Sequence, residues 1–121
     1  MTERQLQTAV AKVLDASGLL WCHVPNGGQR NAIVGKMLKA EGVKKGVPDV
    51  LIFQPKARYV IPLVYEFSGL ALELKVGRNK PSPEQLQWHE RLRECGWRVE
   101  VCYTLDAVLY ILRECYPSKF P

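Results

Sequence analysis

Three side chains of this 121-residue chain have types and positions suited to one kind of chemistry: Asp49, Glu73 and Lys75. Asp49 follows Gly46-Val47-Pro48 and opens the apolar run Val50-Leu51-Ile52-Phe53, while Glu73 follows Leu70-Ala71-Leu72. Both runs are β-prone, and acids are rare in buried strands unless something offsets their desolvation, a metal ion being the commonest reason. Side chains alternate across a strand, so Glu73 and Lys75 project on the same side. Two carboxylates beside an ammonium suit hydrolysis of a phosphodiester, with the acids holding Mg²⁺ and the lysine orienting or deprotonating water.

Each of these residues also has a plainer reading. Asp49 could be a turn residue after proline, and Glu73 and Lys75 could sit on a solvated strand face. The metal site is favoured because a strand as apolar as the one carrying Glu73 is central, buried on both faces. The stretch between the two acids is long enough for two neighbouring strands and a connecting loop.

The elements that must position these groups can be read in order. Residues 3–17 form an amphipathic helix with Thr2 as N-cap, a stripe of Leu6, Val10, Val13 and Leu14, and Gly18 as its stop. A short strand over 19–24 ends at Pro25-Asn26-Gly27-Gly28. In the segment 27–46, Gly27, Gly28, Gly35, Gly42 and Gly46 interleave with Arg30, Lys36, Lys39, Lys44 and Lys45, around a helix near 31–41. Strands follow at 50–53 and 70–76, with a turn between them and an added hairpin or flap from Tyr59-Val60-Ile61 and Leu63-Val64-Tyr65. After a basic loop holding Arg78 and Lys80, Ser82 caps a helix with Pro83 at N1, Glu84 next and Gln85 at N3, running to Cys95. Residues 97–103 alternate as a half-buried strand, and Thr104 caps a last helix through Cys115. This order predicts one α/β domain over residues 1–121 with a mixed central sheet flanked by helices.

Composition limits the partners. Lys plus Arg total 17 against 12 Asp plus Glu, and a net charge of +5 favours a polyanion. Cations among glycines in 27–46, placed just before Asp49, point to phosphate contact, because glycines allow close backbone approach and lysines supply attraction. A solvated loop is the bland alternative, as turn-making is for Asn26 and Gln29. Cys22, Cys95, Cys102 and Cys115 show no CxxC pair or zinc spacing and read as reduced thiols, the last three among apolar residues of core elements, which fits a cytoplasmic compartment. No signal sequence precedes the first helix, and no apolar run approaches the roughly 18 residues that span a bilayer. His23 and His89 read as structural, since neither has a ligand partner at short spacing. Trp97 and Tyr103 read as core or interface residues, and the last helix and segment 59–65 as surfaces that could pack on a second copy.

The combination Gly46-Val47-Pro48-Asp49, Gly69-Leu70-Ala71-Leu72-Glu73-Leu74-Lys75 and Ser82-Pro83-Glu84-Gln85 resembles the VRR-NUC domain, the virus-type replication-repair branch of the PD-(D/E)XK nucleases. The likeness covers nearly the whole chain. It implies a restriction-endonuclease-like fold, dependence on Mg²⁺ or Mn²⁺ and action on DNA, with stand-alone members resembling homodimeric enzymes that cut four-way (Holliday) junctions in DNA repair. Carried across residue by residue, it implies Asp49, Glu73 and the Leu74 carbonyl as metal ligands, Lys75 as the catalytic lysine and Gln85 as support for the reacting water. Gln85 would also complete a capping box with Ser82 whether or not it is catalytic. Glu3 matches the helix-borne acid that completes the metal shell, although an acid in a first helical turn is favoured by the dipole anyway. DNA contact is then expected from Asn26, Gln29, Arg30, Lys36, Lys39, Lys44, Lys45, Arg78 and Lys80. The segment from Lys56 to Phe67 is longer than a bare turn, which leaves substrate preference open. The rivals are a non-catalytic nucleic-acid-binding module of the same fold, and a nuclease that cuts flaps or nicks.

Overall fold

The computed structural model describes residues 1–25, 31–58 and 64–121. Its centre is a sheet of four strands in the order β1 (Trp21–His23), β2 (Val50–Ile52), β5 (Leu70–Leu74), β6 (Arg98–Cys102). The first two junctions are antiparallel and β5–β6 is parallel, so the expected mixed sheet is present. A separate two-stranded antiparallel sheet joins β3 (Lys56–Arg58) to β4 (Val64–Phe67). This pair lies around the expected hairpin, whose first arm at 59–61 falls, with the rest of 59–63, outside the described residues.

All five residues of β5 are buried, as a strand covered on both faces requires. Leu70, Leu72 and Leu74 point into a core formed with Val50, Ile52 and Cys102 under α1 (Glu3–Ser17) and α4 (Leu105–Cys115). From α1 come Leu6, Val10 and Leu14, and from α4 Val108, Leu112 and Cys115. The last helix thus spends its apolar stripe on the molecule's own core, with Tyr110 left exposed on its other side. The exposed apolar helix is instead α2 (Ala32–Ala40), which buries nothing and leaves Ile33 and Met37 open to solvent.

The other sheet face is covered by α3 (Pro83–Glu94), whose docking is polar rather than apolar; His89 is its one buried residue. Residues 85, 89 and 93 recur at i, i+4 and i+8 and therefore share a stripe. Each places a donor nitrogen against the sheet: Gln85 and His89 reach Glu73, and Arg93 Nη2 donates to the Val99 carbonyl at 3.0 Å.

Two glycines set close approaches around β5. Gly46 is buried at φ +93, and a Cβ there would lie 2.7 Å from the Glu84 backbone. It lets the loop before Asp49 sit directly on the first turn of α3. This gives Gly46 a packing role rather than the phosphate-approach role read from its basic surroundings. At Gly69 a Cβ would strike the Trp97 ring at 2.6 Å. That indole meets Phe53 edge-on, with centroids 5.7 Å apart. All four cysteines are free thiols, but Cys95 is exposed at the end of α3, not in the core as its neighbours suggested. Among the described residues no helix is long and apolar enough to cross a membrane.

Candidate active site at the end of strands β2 and β5

Register brings the two acids together. The β2–β5 ladder pairs Val50 with Leu72, so one step further along it sets Asp49 opposite Glu73. Past the last ladder pair, the Leu74 amide has no backbone partner on β2 and donates instead to Asp49 Oδ2 at 2.7 Å. The Asp49 carbonyl accepts from Val24 N–H at 2.8 Å and from His23 Nδ1 at 2.7 Å. A carbonyl can only accept, so Nδ1 of His23 carries the proton. Asp49 is thereby held at both its side chain and its backbone.

Glu73 has no exposed surface. Its Oε2 accepts from Gln85 Nε2 at 3.2 Å, and its Oε1 lies 3.1 Å from His89 Nε2. The same Gln85 closes a capping box with Ser82. Its Oε1 accepts the Ser82 N–H at 2.8 Å, and its own N–H donates to Ser82 Oγ at 3.2 Å. Capping and site support are therefore not alternatives for this residue. The cap claims the amide oxygen, which leaves the amide nitrogen as the end facing Glu73.

Burial, then hydrogen bonding and repulsion from Asp49, push the Glu73 carboxyl up from 4.5 to about 9, against the opposing pull of Lys75. Burial and the cations Arg93 and Lys75 push His89 down, so it is a neutral imidazole at pH 7. A fully buried acid beside a half-buried one calls for a positive partner, whether proton or metal. The oxygens available are two carboxylates and the backbone of Leu74, a donor set that fits a hard divalent cation completing its shell with water or substrate oxygens. Among the described residues there is no ready cage of three or more His, Cys, Asp or Glu side chains.

A cleft of about 350 Å³ opens over this strand end, lined by Glu3, Arg4, Gln7, His23, Asp49, Leu74, Lys75 and Gln85. Five of the expected site residues, Asp49, Leu74, Lys75, Gln85 and Glu3, thus share one cavity, with Glu73 buried behind its wall. Glu3 is exposed, brought there by the first turn of α1, whose capping box of Thr2 and Gln5 fixes where the helix starts. Lys75 follows β5, but its amide still donates to the Cys102 carbonyl at 3.0 Å, holding it in the strand's line.

The expected DNA-contacting residues are more scattered. Asn26, Gln29 and Arg30 lie outside the described residues. Lys36 and Lys39 are exposed on α2, and Lys44 and Lys45 on the loop after it. Lys44 borders a second groove of about 460 Å³ along the outer side of α3, with Gln87, Trp88 and Arg91. Arg78 and Lys80 are exposed on the loop after β5, pinned by Tyr103 Oη donating to the Asn79 carbonyl at 2.8 Å. None of the described members of this set lines the cleft.

Four residues of the site escaped the sequence reading: Arg4, Gln7, His23 and His89. Looking for ligands at short spacing misses His89, because its partner Glu73 is 16 residues away. Its signal is the i, i+4 relation to Gln85, which shares the partner. Gln7 has a buried Nε2 without a hydrogen-bond partner, facing a cleft, and nothing in the helical pattern of α1 marks it.

A strand-end pair of acids followed by lysine, on a mixed sheet between helices, defines the PD-(D/E)XK class of nuclease domain with its restriction-endonuclease-like fold. The VRR-NUC domain model matches residues 1–105, and the chain belongs to this family. A solved structure described as a VRR_NUC domain protein is 22% identical, with a TM-score of 0.73 over 97% of this chain and 89% of that one. Another, described as a VRR_NUC domain, is 27% identical, with a TM-score of 0.60 over 96% and 99% of the two chains. No curated protein matches the sequence.

Proposed function

We propose that this nuclease domain is a Mg²⁺- or Mn²⁺-dependent endonuclease that hydrolyses phosphodiesters in branched DNA, four-way junctions above all, as a homodimer. The observation that carries the reading is the placement of Asp49 opposite Glu73 at one strand end, with Lys75 in the same cleft. Asp49, Glu73 and the Leu74 carbonyl would hold the cation, with Glu3 at the rim completing its shell through water. When bound, the cation supplies positive charge to the phosphate and the leaving oxygen. Lys75 would position or activate the attacking water, while Gln85 keeps Glu73 in place. Lys36, Lys39, Lys44, Lys45, Arg78 and Lys80 lie outside the cleft and are assigned to the arms of the DNA, together with Asn26, Gln29 and Arg30.

Junction preference and dimerisation go together in this reading, because two copies related by a two-fold axis make two matched cuts in a symmetric substrate. The apolar residues left exposed on α2 supply a surface for that contact. The test is cleavage of labelled single-stranded, duplex, flap and four-way DNA with Mg²⁺ or Mn²⁺, with solution mass measured in parallel. Metal-dependent cutting of the junction by a dimer supports the proposal. Preference for flaps or nicks would move the substrate class, and binding without turnover under any metal would leave only a non-catalytic module.

A further inference from the structure

We propose that His89 is a positioning residue for Glu73, locking its carboxylate in the orientation that binds the metal. The inference rests on the metal-dependent reading above. Glu73 is gripped from one helix at two points, Oε2 by Gln85 and Oε1 by His89, at 3.2 and 3.1 Å. The two donors are four residues apart on α3, so the helix presents them side by side, one to each oxygen. A carboxylate held at a single oxygen can turn about its terminal torsion, which is broad and soft in glutamate; held at both, it cannot. His89 is 2% exposed, so no water competes for the contact. With Glu73 ionised, Nε2 carries the proton and donates it. Donors behind a metal-binding carboxylate are part of the site's design, and losing one weakens metal affinity or activity by about 10–100-fold.

The test is Mn²⁺ binding by calorimetry to the full chain, with wild type, H89L, H89Q and H89N, alongside the metal concentration that half-saturates cleavage. H89L keeps the buried volume but removes the donor. It is expected to bind Mn²⁺ about tenfold or more weakly and to need correspondingly more metal to cut, with a smaller loss at saturating metal. The glutamine amide of H89Q reaches Glu73 and should restore most of the affinity, whereas the shorter asparagine of H89N should not. Should H89L fail to fold, the contrast between H89Q and H89N decides. A folded H89L with wild-type affinity, or equal affinities for H89Q and H89N, would overturn the role. A wild-type protein that binds no Mn²⁺ would instead overturn the metal-dependent reading itself.

Discussion

Two charged clusters sit on the β5–β6 pair, at opposite ends and on opposite faces. At the start of the pair, Arg98 on β6 lies level with Leu70 and bonds Glu100 Oε1 at 3.0 Å and Glu114 Oε1 at 2.9 Å. Those three side chains are between 26% and 47% exposed, so water shares in their solvation and one guanidinium answers two carboxylates. At the far end, Asp49 and Glu73 face each other, Glu73 wholly buried, with Gln85, His89 and Asp49 itself as its direct partners. A cluster built for stability pairs opposite charges and keeps them wet. The strand-end cluster instead buries one acid beside a half-buried second, and groups perturbed in this way gather at functional sites.

The sharpest way to break the contrast is at the strand end. Asp49→Ala and Lys75→Ala are each expected to lower the cleavage rate by about 100–1,000-fold or more, the scale for removing one preorganised charge-stabilising group. DNA binding should remain measurable by anisotropy, and wild-type turnover by either variant would sink the mechanism.

A second measurement needs no substrate. Because the folded-state value for Glu73 stands at about 9 against 4.5 unfolded, its protonation stabilises the fold fully below pH about 4.5, and that stabilisation fades as pH rises toward 9. The metal-free Tm should therefore fall across this window. Glu73→Gln, which keeps a neutral group at that position, should flatten the slope; an unchanged slope would mean that Glu73 is ionised without metal.

Smaller effects follow from packing and from the wet cluster. Gly46→Ala forces a side chain into a positive-φ position against the Glu84 backbone and should destabilise by about 2 kcal/mol or more, read by urea unfolding. Glu114→Ala removes one partner of Arg98 and should change stability by no more than about 1 kcal/mol, with cleavage unaltered. If Glu114→Ala proved as damaging to activity as Lys75→Ala, the division between the clusters would fail.

Most of the frame was legible in the sequence because local rules and tertiary structure agree there. Thr2, Ser82 and Thr104 cap the helices they were expected to cap, and the apolar run 70–74 is the buried central strand. The catalytic candidates were legible because strand alternation and a turn motif have fixed geometric meaning. What stayed hidden depends on contacts distant in the chain. His89 acquires meaning only once α3 lies across β5, and His23 only once β1 pairs with β2. Cys95 was misplaced for the related reason that an apolar neighbourhood in sequence does not say which side of a helix the core takes.

One side chain ties the start of a helix to a buried acid. The two ends of the Gln85 amide serve different masters, the oxygen ordering the first turn of α3 and the nitrogen meeting Glu73. Melting of that turn would free only one of the two carboxylate oxygens that α3 holds, since His89 contacts the other. A glutamate at this position would cap equally well, yet would confront Glu73 with another negative oxygen where an N–H now stands.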